Sequence, residues 1–331
     1  MPRWIYEAGI GENRAVLIED GRIIEAAIEW PDRLRAGTVV EARLDQILIP
    51  ACRGIVSIAG HYQALLEPLP AALTEGQSLR VEVLRETISE SGMSGILKRA
   101  KVRVTNEDLR DGPTLRERLR RSGHPVKAAS LTAADALESL GWSEVLEQAE
   151  SGVVEFDGGT LRMSLTPAMT LFDVDGYLPP AQLAAAGARA SGRAIRLLGI
   201  TGSIGIDLPT MSSRADRQAA ATALDEVLPQ PFERTAVNGF GFLQVVRKRE
   251  RASLSELLQG DPVGAAVRAL LRRAERAGGT GERTITAPTP VIQALGYDWQ
   301  LELERRIGAP IALRHDNMLA ISAGHVQSAH A

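Results

Sequence analysis

The feature that most restricts this chain is an Asp-Gly pair, Asp20-Gly21, set between two runs rich in β-branched and apolar residues at 14–19 and 22–30. Joining two such runs through two residues requires a type I′ turn. That turn puts both central residues at positive φ, which Asp and Gly tolerate. The chain therefore opens as a β-hairpin, with an earlier strand at Trp4-Ile5-Tyr6-Glu7-Ala8. A second hairpin signal appears at Asp157-Gly158-Gly159, between 153–156 and 160–165.

Between the two hairpins the pattern changes twice. Short β-prone runs near 38–48, 53–58, 63–66, 78–88 and 96–104, separated by Gly, Pro and Ser-rich turns, predict a small barrel of the oligonucleotide-binding type. Residues 105–150 then read as helical. Pro113-Thr114 opens an arginine-rich helix, and Thr132-Ala133-Ala134-Asp135 opens another. After the second hairpin, strand and helix alternate: strand 168–173, helix 180–198, strand 203–208, helix 214–227 and strands within 234–246 make an α/β unit. Residues 261–277 form an amphipathic helix with Val263, Ala266, Val267, Leu270 and Leu271 on its apolar face. Gly278-Gly279-Thr280-Gly281 reads as a linker. A strand-helix-helix-strand module follows over 284–326, and the tail at 327–331 is expected to fray.

A length of 331 residues favours two or three structural units, and 44% apolar with 24% charged residues is ordinary for a soluble protein. No run approaches the ~20 apolar residues of a membrane span, and Met1-Pro2-Arg3-Trp4 leads straight into a strand, so a cytoplasmic protein without a membrane partner is expected. Cys52 is the single cysteine, which excludes intrachain disulfides and zinc sites built from paired cysteines. The net charge of −3 does not point to nucleic acid, but the distribution is uneven. Lys98, Arg99, Lys101, Arg103, Arg110, Arg116, Arg118, Arg120 and Arg121 crowd one stretch, and Arg247, Lys248, Arg249 and Arg251 another. Either run alone is most simply a solvated face. Two together favour a polyanionic ligand.

The residues best placed for chemistry are carboxylates at strand ends. Asp173 and Asp175 close Thr170-Leu171-Phe172-Asp173-Val174-Asp175-Gly176, and Asp207 closes Ile204-Gly205-Ile206-Asp207-Leu208-Pro209. Strand alternation puts Asp173 and Asp175 on one face, and if the two strands are neighbours Asp173 and Asp207 are close. Carboxylates in that position repel one another, and a hard divalent cation such as Mg²⁺ relieves the repulsion while binding phosphate oxygens. Local pattern alone favours a structural explanation, with Asp207 capping the next helix and Asp175 in a turn before Gly176. There is no Walker A loop, metalloprotease His pair, nucleophile elbow or dinucleotide fingerprint. The five histidines are scattered, although His61-Tyr62 could reach RNA from a barrel loop.

The order of pieces resembles the catalytic half of RNase E and RNase G. Gly158-Gly159-Thr160 with the aspartate strand ending at Asp173-Val174-Asp175 is similar to the family's glycine turn and first metal strand. Ile204-Gly205-Ile206-Asp207-Leu208-Pro209-Thr210-Met211 is similar to its second aspartate motif, Asn238-Gly239-Phe240-Gly241-Phe242-Leu243-Gln244 to the strand pair that follows, and Arg305-Arg306-Ile307-Gly308-Ala309-Pro310 to its small domain. The resemblance spans nearly the whole chain, though only the two aspartate motifs are specific.

It implies an α+β multidomain fold. An RNase H-like subdomain (1–35 and 105–165) would hold an inserted S1/OB-type β-barrel (36–104). A DNase I-like α/β catalytic subdomain (166–255), a helix and linker (256–282) and a small C-terminal α+β module (283–331) would follow. It also implies a Mg²⁺-dependent endoribonuclease for RNA processing or decay, cutting single-stranded RNA to leave 5′-phosphate and 3′-hydroxyl ends. Asp173 and Asp207 would be the metal ligands, with Asp175 a supporting catalytic residue where the family has asparagine.

The departures concern RNA recognition. The 5′-phosphate sensor is missing, and the family's arginine before Phe240 is Gly239. The zinc-link cysteines are absent, which excludes a zinc-linked tetramer and leaves a homodimer through the C-terminal module as the expected assembly. Ile55 and Leu65 stand where the family's barrel has base-stacking aromatics, and Ser94 where it has a lysine. Lys98, Arg99 and Lys101 on the barrel, with Arg214 and Arg217 at the start of a helix, are the candidate RNA contacts, replacing stacking with salt-sensitive phosphate binding. The alternative is a non-catalytic RNA-binding or ribosome-associated protein that keeps the fold. A purely structural assembly factor would leave the basic clusters unexplained.

Overall fold

The structure, a computed structural model, describes residues 1–58, 62–89, 97–129 and 134–330. Of the positions singled out above, His61, Ser94, Thr132 and Ala133 lie outside the described residues. Three antiparallel strands open the chain: β1 (Arg3–Ala8), β2 (Asn13–Glu19) and β3 (Arg22–Glu29). At the β2–β3 turn Asp20 has φ 49° and Gly21 φ 77°, the two positive angles that the Asp-Gly pair predicts. Residues 14–18 of β2 are all buried because this sheet is covered on both faces.

Five strands then close into a barrel in the order β10-β6-β5-β4-β7. They are β4 (Val39–Ile49), β5 (Arg53–Ile58), β6 (Tyr62–Leu66), β7 (Ser78–Arg85) and, after a short ladder of β8 (Ile88–Ser89) with β9 (Leu97–Lys98), β10 (Ala100–Val104). Leu44, Val56, Leu66, Val81 and Val102 fill it completely, as expected for a barrel this small.

Helix α1 (Leu115–Arg121) starts on a capping box in which Thr114 and Glu117 exchange hydrogen bonds. It buries Leu115 and Leu119 against Trp4, Tyr6 and Leu17 of the first sheet. The stretch read as helical also holds a strand, β11 (Val126–Ala128), parallel to β1. Asp135, expected to open a second helix, accepts the amides of Leu137 and Glu138 ahead of α2 (Trp142–Ser151).

The remaining large sheet has the order β12-β13-β14-β15-β17-β16. Its elements are β12 (Val153–Phe156), β13 (Gly159–Leu165), β14 (Thr170–Gly176), α3 (Pro180–Leu197), β15 (Gly202–Asp207), α4 (Arg214–Asp225), β16 (Glu233–Arg234) and β17 (Phe242–Arg247). β14 and β15 are parallel and joined through α3, the crossover that parallel neighbours need. Alternation sends Phe172, Ile204, Ile206, Leu243 and Val245 into a core with Ala184, Ala188 and Ile195 of α3 and Leu224 of α4. Helix α3 also touches β3, so the first and the large sheet share this core.

Two helices, α5 (Leu254–Gly260) and α6 (Pro262–Arg276), lead to the last module: β18 (Thr280–Ala287), α7 (Thr289–Leu295), α8 (Tyr297–Ile307), β19 (Ile311–His315) and β20 (His325–His330). The Gly278–Gly281 stretch read as a linker runs directly into β18, and α6 packs Val267, Leu270 and Leu271 in one core with Ile285, Val291 and Leu303. The chain is thus a mixed α+β protein with several sheets and one closed barrel. Among the described residues no helix is long and apolar enough to cross a membrane.

Candidate active site

Burial of Phe172, Val174, Ile204 and Ile206 against the helices fixes which way the intervening residues of β14 and β15 face. Asp173, Asp175 and Asp207 fall on the other, solvent-facing side, and all three are exposed. The register makes Asp173 and Asp207 direct partners across the parallel pair, at the C-terminal end of the β14–β15 ladder, with Asp207 the last residue of β15 and Asp173 midway along β14; open α/β sheets bind ligands beyond that side. Gly205 sits one step back on the same face. A Cβ there would come within 2.6 Å of the Phe242 ring, so glycine lets that ring lie across β15.

The structural explanations for these aspartates do not hold. Helix α4 is capped by Ser213, whose hydroxyl accepts the amides of Ala215 and Asp216, so Asp207 caps nothing. Asp175 lies within β14, opposite Thr160, rather than in a turn. Neither the Asp173 nor the Asp207 side chain has a hydrogen-bond or ion-pair partner among the described residues. Like charges opposite one another on neighbouring strands destabilise a sheet, and a cation between them removes that cost.

Arg162 is the neighbour that strand-end reasoning missed. It is the cross-strand partner of Asp173 on β13, and its Nε lies 3.9 Å from Asp175 Oδ2, with both side chains more than half exposed. The signal was available in the hairpin: Thr166 and Met169 close the turn, which pairs Leu165 with Thr170 and, counting back, Arg162 with Asp173. An exposed pair at that distance holds the arginine only weakly, leaving it able to turn to a phosphate.

Among the described residues no group of three or more His, Cys, Asp or Glu side chains gathers as a metal cage. Mg²⁺ keeps most of its water and substrate oxygens and needs one or two carboxylates, which Asp173 and Asp207 can supply.

The expected RNA contacts are dispersed. Lys98 donates to the Pro167 carbonyl, at the end of the large sheet away from the carboxylates. Arg99 donates to Gln63, and Lys101 pairs with Glu67 at 3.2 Å. Hydrogen bonds from Arg53 and then Lys101 hold the Glu67 carboxyl below its ordinary range. Arg217 is engaged by the Met211 and Ser212 carbonyls, which it clamps at the start of α4, whereas Arg214 is exposed on the same turn. Much of the first basic run is likewise paired internally, Arg118 with Glu29 and Arg103 with Glu82. So is much of the second, Arg249 with Glu256 and Arg251 with Glu86 and Glu250. At the barrel positions where aliphatic residues replace the family's stacking aromatics, Ile55 is 6% exposed and faces Leu65 across the ladder.

Compared with models of known protein families and with curated protein sequences, the chain gives no match. The resemblance to RNase E and RNase G therefore rests on its motifs.

Proposed function

We propose that this chain is an endoribonuclease of the RNase E and RNase G type, hydrolysing phosphodiester bonds of single-stranded RNA with Mg²⁺ held by Asp173 and Asp207. The observation that carries the reading is the in-register pairing, at the end of the ladder between adjacent parallel strands, of two exposed carboxylates that have no partner among the described residues. Bound there, the ion would supply charge neutralisation for the phosphate and would acidify an attacking water. Asp173 and Asp207 would hold it, Asp175 would orient the water or take its proton, and Arg162 would offer a guanidinium to a non-bridging phosphate oxygen. The new bond joins the water oxygen to phosphorus and the bond to the 3′ oxygen breaks, that oxygen taking a proton from solvent, which leaves 3′-hydroxyl and 5′-phosphate ends. On this reading, residues 1–35 and 105–165 are the RNase H-like part, 36–104 the S1-like barrel and 166–255 the DNase I-like part. The homodimer draws support from α8, where Tyr297 and Leu301, one turn apart, are 72% and 44% exposed.

The test is cleavage of a labelled single-stranded RNA with Mg²⁺. Asp173→Asn and Asp207→Asn should each lower the rate by about a thousandfold or more, equivalent to roughly 4 kcal/mol of transition-state stabilisation. Fold retention is checked by circular dichroism. A second reading, an RNA-binding or ribosome-associated protein without cleavage, is favoured by the position of Arg162, which offsets part of the carboxylate charge. Wild-type protein that binds the RNA and never cuts it would establish that reading.

A further inference from the structure

Two aromatic side chains stand almost wholly in solvent at the same edge as the carboxylates. Tyr177 directly follows β14 and is 81% exposed; Phe240 lies two residues ahead of β17 and is 83% exposed. The register locates both. Asp207 is the partner of Asp173 on β14 and of Phe242 on β17, and β17 is antiparallel to β15. The chain after Asp173 and the chain before Phe242 therefore project past the carboxylate pair at one end of the sheet. Tyr177 rises on the β14 side of that end and Phe240 on the β17 side, with the end of β15 between them.

Both rings sit on backbone that is tied down. The Asn238 side-chain oxygen accepts the amides of Phe240 at 2.9 Å and Phe242 at 3.0 Å, and the Thr210 hydroxyl donates to the Phe240 carbonyl at 3.3 Å. Gly241 has φ 96°, and a Cβ there would lie 2.1 Å from the Leu208 carbonyl, so only glycine lets the turn press onto the exit of β15. The Tyr177 amide donates to the Gly158 carbonyl at 3.2 Å. Aromatic residues make up only 4% of this chain, and two of them are held out of its cores at one edge. Exposed rings on an anchored backbone are preorganised in position, because little main-chain ordering remains to be done when a ligand covers them. The charges beside them suit a nucleotide chain: Arg162 lies on the same face and exposed Arg214 begins the helix after β15, both able to meet phosphates between stacked bases.

We infer that Tyr177 and Phe240 are a stacking clamp that grips bases of single-stranded RNA on either side of the bond presented to Asp173 and Asp207. The inference rests on the nuclease reading and adds to it the means of holding substrate that the barrel lacks at Ile55 and Leu65. It also accounts for a single-stranded substrate, since a base stacked and paired in a duplex has no free face to offer.

The test is binding without cleavage, by fluorescence anisotropy in EDTA. One probe is a fluorescein-labelled oligouridylate of about ten nucleotides, and the other is an abasic ribose-phosphate chain of the same length. Tyr177→Ala and Phe240→Ala should each weaken oligouridylate binding roughly fivefold or more, the loss of one stacked base, and the double variant should lose more. Tyr177→Trp and Phe240→Trp should bind as wild type, and all variants should bind the abasic chain equally. A double alanine variant that binds oligouridylate like wild type overturns the clamp, as does an equal loss of affinity for the abasic chain. Wild-type protein that binds neither probe removes the clamp and the nuclease reading together. Binding that survives both alanine substitutions removes the clamp alone, because cleavage at Asp173 and Asp207 is measured separately.

Discussion

Acidic side chains meet opposite treatment in two parts of this protein. Along the seam between the N-terminal sheet and α6, Glu7 and Glu12 are 1% and 2% exposed, and each is bonded to arginine. Glu7 binds Arg14 at 3.1 Å and also Arg276, Glu12 binds Arg272, and Asp135 binds Arg14. Where the β14–β15 ladder ends the opposite holds, with Asp173 and Asp207 exposed and unpaired among the described residues. A buried carboxylate without a partner costs several kcal/mol, whereas water satisfies an exposed one at no such cost. Arginine is therefore obligatory in the seam and dispensable at the edge. Carboxylates on an ordered strand that the fold has not paired are the ones free to take a cation from outside.

The largest effect that separates the two regions comes from breaking the seam. Arg14 is 1% exposed, stacks over Trp142 at 5.3 Å and serves both Glu7 and Asp135. Arg14→Met keeps most of the volume but leaves Glu7 and Asp135 to share Arg276 alone, which should lower stability by about 3 kcal/mol in urea unfolding. A loss under about 1 kcal/mol would show that the seam tolerates unpaired acid, and the contrast with the edge would fail.

The edge was more legible in the sequence than the seam, for a physical reason. Alternation along 168–173 and 203–208 depends on near neighbours, so it announced both strands and put Asp173 and Asp175 on one face. Pairings such as Glu7 with Arg276 join residues far apart in the chain, and no local pattern encodes them. The same limit hid β11, three residues whose strand identity comes entirely from lying beside β1. Gly278-Gly279-Thr280-Gly281 misled differently. Gly279 and Gly281 have φ 92° and 85°, and the β18–β20 register shifts between Thr280 and Arg283, so the glycines serve an irregular strand start rather than a linker. The basic runs were visible as charge, but partners such as Glu29 and Glu82 lie far away in sequence, so their internal pairing was not.

A smaller effect follows from pH. Burial acts to raise the Asp135 carboxyl, but the hydrogen bond and charge of Arg14, the Glu138 amide and the charge of Arg276 together hold it below the ordinary aspartate value. A depressed acid contributes its stability in full above the unfolded value, about 4, and loses it as pH falls through the lower folded value. Wild-type protein should therefore be more stable than Asp135→Asn at neutral pH, and the gap should close only in acid below about pH 4. A gap that stays constant from about pH 7 to about pH 3 would mean that the Asp135 charge contributes nothing to the seam.

The smallest expected effect is the most diagnostic of the edge. Asp173→Asn and Asp207→Asn remove charge from side chains that bond to no other described residue, so neither leaves a group stranded. Relief of like-charge repulsion should make stability unchanged or higher by a few tenths of a kcal/mol, of the order measured for exposed cross-strand charges. In the absence of Mg²⁺, the urea midpoints of both variants should match or slightly exceed wild type, while in its presence the variants should not cleave. Added Mg²⁺ should raise the wild-type midpoint and leave the variants' midpoints where they were, because only a state that binds the ion is stabilised by it. A drop of about 1 kcal/mol or more in either variant would mean that the aspartates carry structure after all. The partnerless pair would then belong with the seam rather than in contrast to it.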